Sequence, residues 1–410
     1  MPRDRKRRKR MERKKRIMIF VGSYLPGTKS AGVTTSISSL VEALGGRYSF
    51  YIVTADRDIG DTEPYDGVET ECWTALGRAQ IRYSGRYLHS IRALEEIIRS
   101  VPVDAVYCNG FYNRRDTQRV LLLHRLGRIP RTPIIIAPRG IFSMGEAERN
   151  RAARAAVRLL FRMEGFSRTV FWHAASDPER RDILRYFPNA ADRITVIPNL
   201  SGLAVRSKSP QPPKRRGELN IIFLSRISGK KNLRMVLECL QGLRGEIRLE
   251  IYGMIGTQAD QAYWDGCQPL IRALEGSDVR VSVHGEAAHD QVPALFARQH
   301  VFFFPTFGEN YGHVIAESLA NGCPVLLSDT TPWNDAGAYR AGWVYPLSAR
   351  DQFTAKLQEL ADMDDAAWRI YAEGALACAA AKLNEADTRR KYIAFFDRIT
   401  SQPAERNGGT

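Results

Sequence analysis

The residues from Val301 to Trp333 constrain the fold of this chain more than any other stretch. The run Val301–Phe304 is apolar, rich in β-forming residues and too short for a helix, so it predicts a buried strand. A loop containing Gly308 follows, and a helix is predicted from about Gly312 to Asn321. A second strand is predicted at Pro324–Asp329. Strand, loop, helix and strand in this order are typical of a parallel α/β sheet.

Two glutamates accompany this pattern, Glu309 in the loop and Glu317 in the helix, with seven residues between them. The loop and the helix start direct free backbone N–H groups and the positive end of the helix dipole at one point, which suits an anion. Because a carboxylate cannot bind phosphate favourably there, we interpret Glu309 as an acceptor of hydrogen bonds from sugar hydroxyls. The alternative, a loop cap and a solvated helix face, is weakened by the separate apolar side of the helix at Ile315 and Leu319.

The text ENYGHVIAESLANGCPVLLSDTTPW, with its Glu309-x7-Glu317 spacing, resembles the donor-site motif of the retaining GT-B glycosyltransferases of family 4. The resemblance covers most of residues 17–400, and it is specific over 220–333 and looser over 17–205. It implies an α/β fold, the GT-B architecture, in which two Rossmann-like, doubly wound domains face a cleft. The other positions that carry it are Pro305, Gly308, Gly312, Gly322, Pro324 and Val325.

The resemblance also implies the chemistry. The donor is a nucleotide-sugar bound mainly by the C-terminal domain, and the transferred sugar keeps its anomeric configuration without a protein nucleophile. No metal and no other cofactor is required. Glu309 holds hydroxyls of the donor sugar, and Glu317 holds the ribose.

Two cations are the next candidates. Arg226 ends the predicted strand Leu219–Ser225, and Lys231 lies five residues later at the start of the predicted helix Asn232–Leu243. The resembled family carries an arginine and a lysine at this spacing that neutralise the donor diphosphate. A departing nucleoside diphosphate gains negative charge, so fixed cations stabilise the transition state. The alternative is a solvated charge pair.

Further candidates lie in the first half of the chain. The predicted strand Ile17–Gly22 is followed by a glycine-containing loop in which the family often has Gly-Gly and this chain has Ala31-Gly32, and the resemblance places Gly32 near the donor diphosphate. Asn109 ends a predicted strand where the family commonly has histidine, so a hydrogen-bonding role is expected there. Arg139 also ends a predicted strand and is expected to face a phosphate or an acceptor anion.

The remaining candidates surround the donor. Gly253 and Gly285 end predicted strands, where doubly wound sheets bind nucleotides. Thr331 either reaches the sugar or shapes its turn, and His284 is more typical of a packed polar residue. The other positions expected to contact the donor are Gly308, Asn310, Tyr311, Gly312 and His313.

The proline-rich stretch Leu203–Gly217 lacks a periodic apolar pattern and predicts an interdomain linker. We therefore expect a Rossmann-like acceptor domain at 17–205, a linker at 206–217 and a Rossmann-like donor domain at 218–384. A final helix at 385–402 is expected to return to the first domain. Between the first strand and the linker, the predicted elements alternate: Ser49–Thr54, Tyr87–Arg99, Asp104–Cys108, Thr117–Leu126, Pro133–Ala137, Ala147–Met163, Thr169–Ala174 and Ile194–Ile197.

The composition limits where in the cell the protein is expected to work. No run reaches the ~18 apolar residues that a membrane helix needs, and Ile17–Val21 is too short for a signal peptide. Six scattered cysteines without a CxxC pair predict a reducing cytoplasm and no structural zinc. The triplet Asp56-Arg57-Asp58 has the form of a metal-binding DxD, but two aspartates in a polar turn can simply accept backbone N–H groups.

The formal net charge of +15 is unevenly spread, since residues 1–16 hold eleven lysines and arginines against Asp4 and Glu12. This block predicts a disordered arm that contacts anionic surfaces. It has no aromatic residue and no nucleic-acid motif accompanies it, so specific nucleic-acid binding is not predicted. A basic nucleic-acid-binding protein and a sugar-nucleotide-binding protein without catalysis remain the alternatives to an enzyme.

Four arginines at helical spacing form a basic stripe: Arg151, Arg154, Arg158 and Arg162. It is interpreted either as a solvated helix face or as a surface for anionic lipid headgroups. The expected setting is therefore the cytoplasm, with the cytoplasmic face of a membrane as a candidate partner. The expected acceptor is a glycan, either free or lipid-linked.

Overall fold

The computed structural model describes residues 13–27, 29, 31–143, 151–208 and 211–401. The predictions for residues 1–12, for the start of the helix at 147–150 and for residue 402 lie outside the described residues. Within them, the chain forms two parallel-sheet α/β domains, which confirms the predicted fold class. In the part of the chain that is described, no helix is both long and apolar enough to cross a bilayer.

The first sheet has eight strands in the order β3-β4-β2-β1-β5-β6-β7-β8, and every pairing except β3 with β4 is parallel. Its strands are β1 (Arg16–Phe20), β2 (Ser49–Thr54), β3 (Thr74–Leu76), β4 (Ala79–Tyr83), β5 (Ala105–Asn109), β6 (Ile134–Ala137), β7 (Phe171–Ala174) and β8 (Ile194–Val196). Its helices are α1 (Ala31–Leu44), α2 (Arg86–His89), α3 (Ile91–Arg99), α4 (Thr117–Arg125), α5 (Arg151–Met163), α6 (Phe166–Thr169) and α7 (Asp177–Tyr186).

The second sheet has six parallel strands in the order β11-β10-β9-β12-β13-β14. They are β9 (Glu218–Leu224), β10 (Glu246–Tyr252), β11 (Val279–Gly285), β12 (Val301–Phe304), β13 (Val325–Ser328) and β14 (Gly342–Tyr345). The flanking helices are α8 (Leu233–Cys239), α9 (Gln258–Arg272), α10 (Val292–Phe296), α11 (His313–Ala320), α12 (Arg350–Asp362) and α13 (Asp365–Lys382). The strand order reverses between β9 and β12, and ligands of such sheets bind in the crevice at that point.

The β3–β4 hairpin is absent from the sequence prediction, which passed directly from Ser49–Thr54 to a helix. Its turn contains Gly77 at φ +56°, a conformation that suits glycine. Its second strand alternates buried and half-buried residues. The single predicted helix Tyr87–Arg99 is also wrong, since Ser90 is extended there and its hydroxyl caps α3 by accepting from Ala93 N at 3.2 Å.

The predicted boundary of the basic arm at residue 16 is wrong as well. Arg16 begins β1, and its backbone N–H donates to Asp104 Oδ2 at 2.7 Å. Arg13 pairs with the same carboxylate at 2.9 Å. The last residues of the basic run therefore belong to the first domain.

The stretch between the sheets is fixed to the second domain. Arg206 Nε donates to Asn321 Oδ1 at 2.8 Å, and the buried Gln211 amide donates to two backbone carbonyls of that domain. Lys214 is buried, and its ammonium donates to Ala361 O and Met363 O at 3.1 and 2.8 Å. Burial lowers the pKa of Lys214 to about 8.

The last helix, α14 (Glu385–Thr400), packs against the first domain although it follows the second in the chain. Tyr392, Phe395 and Phe396, the aromatic residues expected at this contact, are buried in one cluster with Tyr48 and other residues of the first sheet. The Phe396 ring meets that of Tyr48 edge to face at 5.4 Å between centroids. The core of the first domain is thus completed by the end of the described chain.

Candidate active site

The crevice at the β9–β12 reversal holds the two residues with the strongest sequence signal. Lys231 lies in a 3₁₀ turn, Gly229–Lys231, just after β9, and Glu309 lies in the loop after β12. The Lys231 ammonium forms an ion pair with Glu309 Oε1, and both side chains are less than a fifth exposed, at 18% and 14%. The ammonium also lies 5.3 Å from the centre of the Phe304 ring. The sequence proposed separate roles for these residues, and the structure brings them into direct contact.

Arg226 follows β9 and is exposed at the same crevice. Among the described residues its guanidinium has no hydrogen bond or ion pair, so its donors remain available to an anion. Arginine is always charged and presents its donors in a planar fork that matches a phosphate. Of the two predicted cations, Lys231 is therefore paired and Arg226 is unpaired within the described ranges.

Helix α11 points its first turn into the crevice. Its N-cap is Gly312, at φ +78°, so no side chain accepts from the first amides. A Cβ on Gly312 would lie 2.9 Å from Ile315 Cδ1 and 3.3 Å from Trp333 Nε1, so the position has no space for a larger residue. An uncapped helix start with its positive dipole end is a suitable site for an anionic group.

Glu317 lies one turn into α11 and is half-buried. Burial raises the pKa of its carboxyl from 4.5 to about 7, and no charge or hydrogen bond of the described protein offsets this effect. A buried carboxylate without a partner is costly for the folded protein. Its place in the crevice indicates that the missing hydrogen-bond donors come from a ligand.

His313 joins the two domains at the start of α11. Ser36 Oγ donates to Gly32 O at 2.8 Å, so the 2.8 Å contact between Ser36 Oγ and His313 Nε2 is donated by the imidazole. Burial and the nearby Arg139 lower the pKa of His313 to about 4, and the ring is neutral at pH 7. Gly32 lies in the first turn of α1, where a Cβ would lie 4.0 Å from His313 Cδ2. The structure thus brings Gly32 close to the start of α11, as part of a helix rather than of a free loop.

Arg139 and Asn109 form one cluster at the ends of β6 and β5. Arg139 has φ +61°, a strained conformation for a non-glycine residue. Its guanidinium donates to Asn109 Oδ1 at 2.9 Å, to Asn199 Oδ1 at 2.7 Å and to Tyr107 Oη at 3.1 Å. All three acceptors are neutral, and within the described part of the chain no carboxylate forms a salt bridge with Arg139, although Glu179 lies near enough to interact with its charge. Asn109 acts here as a positioning residue, since its own amide donates to Phe20 O at 2.9 Å.

Asn310 and Tyr311 lie at the contact between the domains. With its nitrogen toward the carboxylate, the Asn310 amide donates to both oxygens of Glu179, at 3.0 and 2.9 Å. Glu179 also accepts from Gly140 N and Ala175 N, at 2.6 and 2.7 Å. Tyr311 is buried, and its carbonyl accepts from Trp333 Nε1 at 2.6 Å. These contacts engage the Asn310 amide and the Tyr311 carbonyl within the protein, and the expected role of both residues in substrate binding stays a prediction.

The glycines at the strand ends have different environments. A Cβ on Gly253 would lie 1.9 Å from Ser225 O, so β9 and the end of β10 can approach only because this residue is glycine. Gly285 has φ +76°, and its carbonyl accepts from Gly253 N at 2.7 Å. The Gly308 N–H faces Thr306 Oγ1 at 3.3 Å, which leaves it less available to a ligand than the sequence suggested. Gly253 and Gly285 thus shape the crevice through the backbone.

The secondary candidates have local partners. Asp58 accepts from Lys29 N at 3.0 Å and from Ile59 N at 2.8 Å, while Asp56 pairs with Arg57 at 2.9 Å. Within the described ranges, no three histidine, cysteine or acidic side chains lie together as metal ligands. His284 is exposed and stacks on Tyr252 at 4.5 Å, and Thr331 Oγ1 accepts from Trp333 N at 3.3 Å. Thr331 therefore shapes its turn.

A cavity of about 460 Å³ opens between the domains on another side of the contact. The ends of β7 and β8 form one wall, and the loop after β13 forms the other. Its charged residues are Asp177, Arg181, Asp335 and Lys382. The Lys382 ammonium lies over the Trp333 ring at 4.9 Å and pairs with Asp335.

Comparison with known proteins identifies the two halves of the chain. Residues 205–375 match the family model for glycosyl transferases group 1, and residues 31–200 match the glycosyl transferase 4-like domain. The chain is a GT-B glycosyltransferase. The match to the group 1 model covers the second domain, which carries Lys231, Glu309 and Glu317.

Solved structures share the fold of this glycosyltransferase along nearly its whole length. Sucrose-phosphate synthase from Thermosynechococcus elongatus superposes with a TM-score of 0.70 at 15% identity, over 94% of this chain and 99% of that one. Anabaena HepE in complex with UDP and glucose has a TM-score of 0.67 at 15% identity, over 94% and 100% of the two chains. WaaG, a glycosyltransferase involved in lipopolysaccharide biosynthesis, has a TM-score of 0.63 at 15% identity over the same shares. At these identities the likeness shows the fold alone.

A curated relative of this glycosyltransferase is O-antigen chain mannosyltransferase B of Escherichia coli. It is 26% identical over 208 residues, which are 48% of this chain and 52% of the relative. The alignment therefore spans about half the length of that protein.

The main contacts that sequence analysis missed in this glycosyltransferase cross between domains. Glu179 and Ser36 did not appear among the candidates, although each contacts a predicted site residue of the other domain. Asn199 and Tyr107, which hold Arg139, were also missed. Ser36 and Glu179 lie in helices, Tyr107 lies within β5 and Asn199 follows β8, and the local sequence marks none of them.

Proposed function

We propose that this protein is a retaining, family 4 hexosyltransferase that moves a sugar from a nucleotide-sugar donor to a glycan acceptor. The observation that carries the proposal is the Lys231–Glu309 ion pair in the crevice that also contains the unpartnered Glu317 carboxylate. A cation for phosphate and two carboxylates for hydroxyls are what a sugar linked to a nucleoside diphosphate requires. The proposed donor site belongs to the second domain.

In this proposal the ion pair opens when the donor binds. The diphosphate draws the Lys231 ammonium and the exposed Arg226 guanidinium toward it, and Glu309 is released to accept hydrogen bonds from the sugar. Glu317 accepts hydroxyls of the ribose, and the uncapped start of α11 faces the anion. As the glycosidic bond breaks, charge accumulates on the leaving diphosphate, where the two cations and the helix dipole stabilise it.

The proposed transfer retains the anomeric configuration. The acceptor hydroxyl attacks from the face that the diphosphate leaves, without a covalent sugar–enzyme intermediate. Arg226 and Lys231 supply the positive charge that a metal supplies in other transferases, so we propose a metal-independent reaction without a cofactor.

The acceptor is proposed to be a growing surface polysaccharide or a lipid-linked oligosaccharide. The name of the curated relative supports a polysaccharide product, and it suggests mannose as the transferred hexose. Arg139, held only by neutral acceptors at the first-domain side of the cleft, is proposed to bind an anionic group of the acceptor. The protein would work in the cytoplasm, at the cytoplasmic face of a membrane.

A thermal-shift screen tests the donor. UDP-, GDP-, ADP- and CDP-sugars are each added to the purified protein. The sugar nucleotide with the correct base is expected to raise the melting temperature clearly, because a ligand at a hundred times its Kd adds about 2.7 kcal/mol to the free energy of unfolding. The product of transfer from that donor is then analysed by NMR, and the anomeric configuration of the donor is expected to be kept. If none of the four donors raises the melting temperature above that of the free protein, the proposed donor site is wrong. If the product has the inverted anomeric configuration, the proposed mechanism is wrong.

A further inference from the structure

Helix α5 packs Phe161 and Val157 into the first domain and presents a second, separate apolar face to solvent. Leu159, Leu160 and Met163 are 58%, 59% and 74% exposed, and they recur at the spacing of one helix face. The exposed residues of the preceding turns on this side are alanines, at positions 152, 153, 155 and 156. A helix on the surface of a globular protein ordinarily buries its apolar face. The outward face of α5 is therefore a surface that needs a partner.

The arginines of the same helix turn toward the protein. The Arg154 guanidinium lies 4.9 Å from the centre of the Tyr112 ring, and that of Arg158 lies 4.5 Å from the Tyr186 ring. Arg162 Nε donates to Tyr186 O at 2.9 Å. These contacts occupy Arg154 and Arg158 within their own domain, and the expected role of the arginine stripe at headgroups stays a prediction, while the side chain of Arg151 is outside what is described. Arg154 and Arg158 thus lie over aromatic rings of their own domain, and these cation–π contacts help to hold α5 against that domain.

The neighbouring helix α4 extends the apolar face. Leu122 and Leu126 are 47% and 59% exposed, and an ion pair between Arg125 and Glu164 joins the end of α4 to the end of α5. Five of the twelve large hydrophobic side chains that are exposed in the described protein thus fall on two adjacent helices. We call them the apolar patch: Leu122, Leu126, Leu159, Leu160 and Met163. Such a concentration of exposed apolar residues marks an interaction site.

Exposed arginines adjoin, along the chain, the elements that carry or contact the apolar patch. Arg114 and Arg115 are exposed two and three residues beyond Tyr112, which contacts α5, and Arg131 is exposed beyond the end of α4. A second copy of the chain would bring these like charges together, which disfavours a dimer through this face. An apolar surface with exposed arginines on the adjoining segments instead complements a bilayer that carries anionic headgroups.

We propose that the apolar patch inserts into the interface of an anionic membrane, with α4 and α5 lying along its plane. Leu159, Leu160 and Met163 enter the boundary between headgroups and acyl chains, and Arg114, Arg115 and Arg131 contact the headgroups. The attachment is then partly hydrophobic, so it does not depend on the basic residues 1–12. It also holds independently of the donor chemistry, because no patch residue belongs to the crevice.

The salt dependence of membrane binding distinguishes this attachment from a purely electrostatic one. At 1 M salt the Debye length is only ~3 Å, so contacts of exposed arginines with headgroups are largely screened. Apolar insertion is not screened, and salt does not weaken it. A protein attached through the apolar patch is therefore expected to keep part of its binding at 1 M NaCl.

Co-sedimentation with vesicles tests the proposal. The full chain is mixed with vesicles of phosphatidylglycerol and phosphatidylcholine, at low salt and at 1 M NaCl. We expect Leu159→Ser with Leu160→Ser to lower the partition coefficient by at least about tenfold, because two buried leucine side chains are lost from the bilayer. Ile370→Ser removes a large hydrophobic residue that is 46% exposed on α13, away from the patch, and should bind as the wild type does.

A fluorescent probe reports insertion directly. An environment-sensitive fluorophore on a Leu160→Cys variant, with the exposed Cys72 replaced by serine, should shift to the blue when vesicles are added. The same fluorophore on an Ile370→Cys variant should not shift. Complete release of the wild type by salt, equal binding of the leucine and Ile370 variants, or a wild-type dimer that Leu159→Ser dissociates would each overturn the proposal. Transfer to a soluble acceptor is measured alongside, and wild-type transfer in the Lys231→Ala variant would count against the proposed function and not against the patch.

Discussion

Replacing Lys231 by alanine is expected to lower kcat/KM at least about a hundredfold, because the change removes a cation beside the charge that develops on the leaving diphosphate. Binding of the nucleoside diphosphate should weaken by about 1.5–3 kcal/mol, the contribution of a charge-assisted hydrogen bond. Calorimetry with the diphosphate and steady-state kinetics measure the two effects. The change also leaves Glu309 without the cation that it pairs with.

Two comparisons make this result specific. Arg234→Ala removes one positive charge from an exposed arginine that pairs with Glu238 on α8, and we expect kinetics close to those of the wild type. Glu309→Gln removes the other member of the Lys231 pair, and it should slow transfer tenfold or more while binding of the nucleotide alone barely changes. If Lys231→Ala binds the diphosphate as tightly as Arg234→Ala does, the role of Lys231 is wrong.

Glu317→Gln is expected to stabilise the free protein and to impair it as an enzyme. The pKa of this carboxyl is raised from 4.5 in the unfolded chain to about 7 in the folded one. The folded state therefore binds the proton more tightly, and the free energy of unfolding falls as the pH rises through this interval. Because the side chain keeps some access to solvent, we expect the glutamine variant to gain about 1–2 kcal/mol above pH 7 and nothing below pH 4.5. Chemical denaturation at several pH values measures this difference.

Donor binding should have the opposite pH dependence. Ribose hydroxyls donate to the ionised carboxylate, so the affinity of the wild type for its nucleotide-sugar should rise between pH 6 and pH 8 with release of a proton. The intact nucleotide-sugar is the ligand of choice, since its diphosphate does not titrate in that range. In Glu317→Gln the affinity should be at least about tenfold lower at pH 8 and independent of pH. A pH-dependent affinity that survives in this variant would assign the titration to another group.

The second domain was largely predictable from sequence because its signals are local. One βα unit contains the apolar run Val301–Phe304, the glycine N-cap of α11 and the two spaced glutamates. The structure forms the strand and the helix that these signals predicted. The β3–β4 hairpin was missed even though Gly77 and the alternating residues after it were visible. Weak β propensity over these short strands is overridden by pairing with β2, which lies far back in the chain.

The orientation of α5 could not be predicted from the periodicity of its sequence. The spacing of Arg154, Arg158 and Arg162 correctly indicated one face of a helix, but charged residues were assumed to face outward. Their partners, Tyr112 and Tyr186, come from other elements, and nothing in the spacing reveals them. The pairing of Lys231 with Glu309 across 78 residues was hidden for the same reason.

The return of α14 to the first sheet determines the order in which the protein can mature on the ribosome. Domains generally fold as units as the chain emerges, amino-terminal first. Here the cluster that contains Tyr48 and Phe50 lacks Tyr392, Phe395, Phe396 and Ile399 until the end of α14 has been synthesised. The domain made first is therefore completed last, and its exposed aromatic surface must be protected throughout synthesis of the second domain.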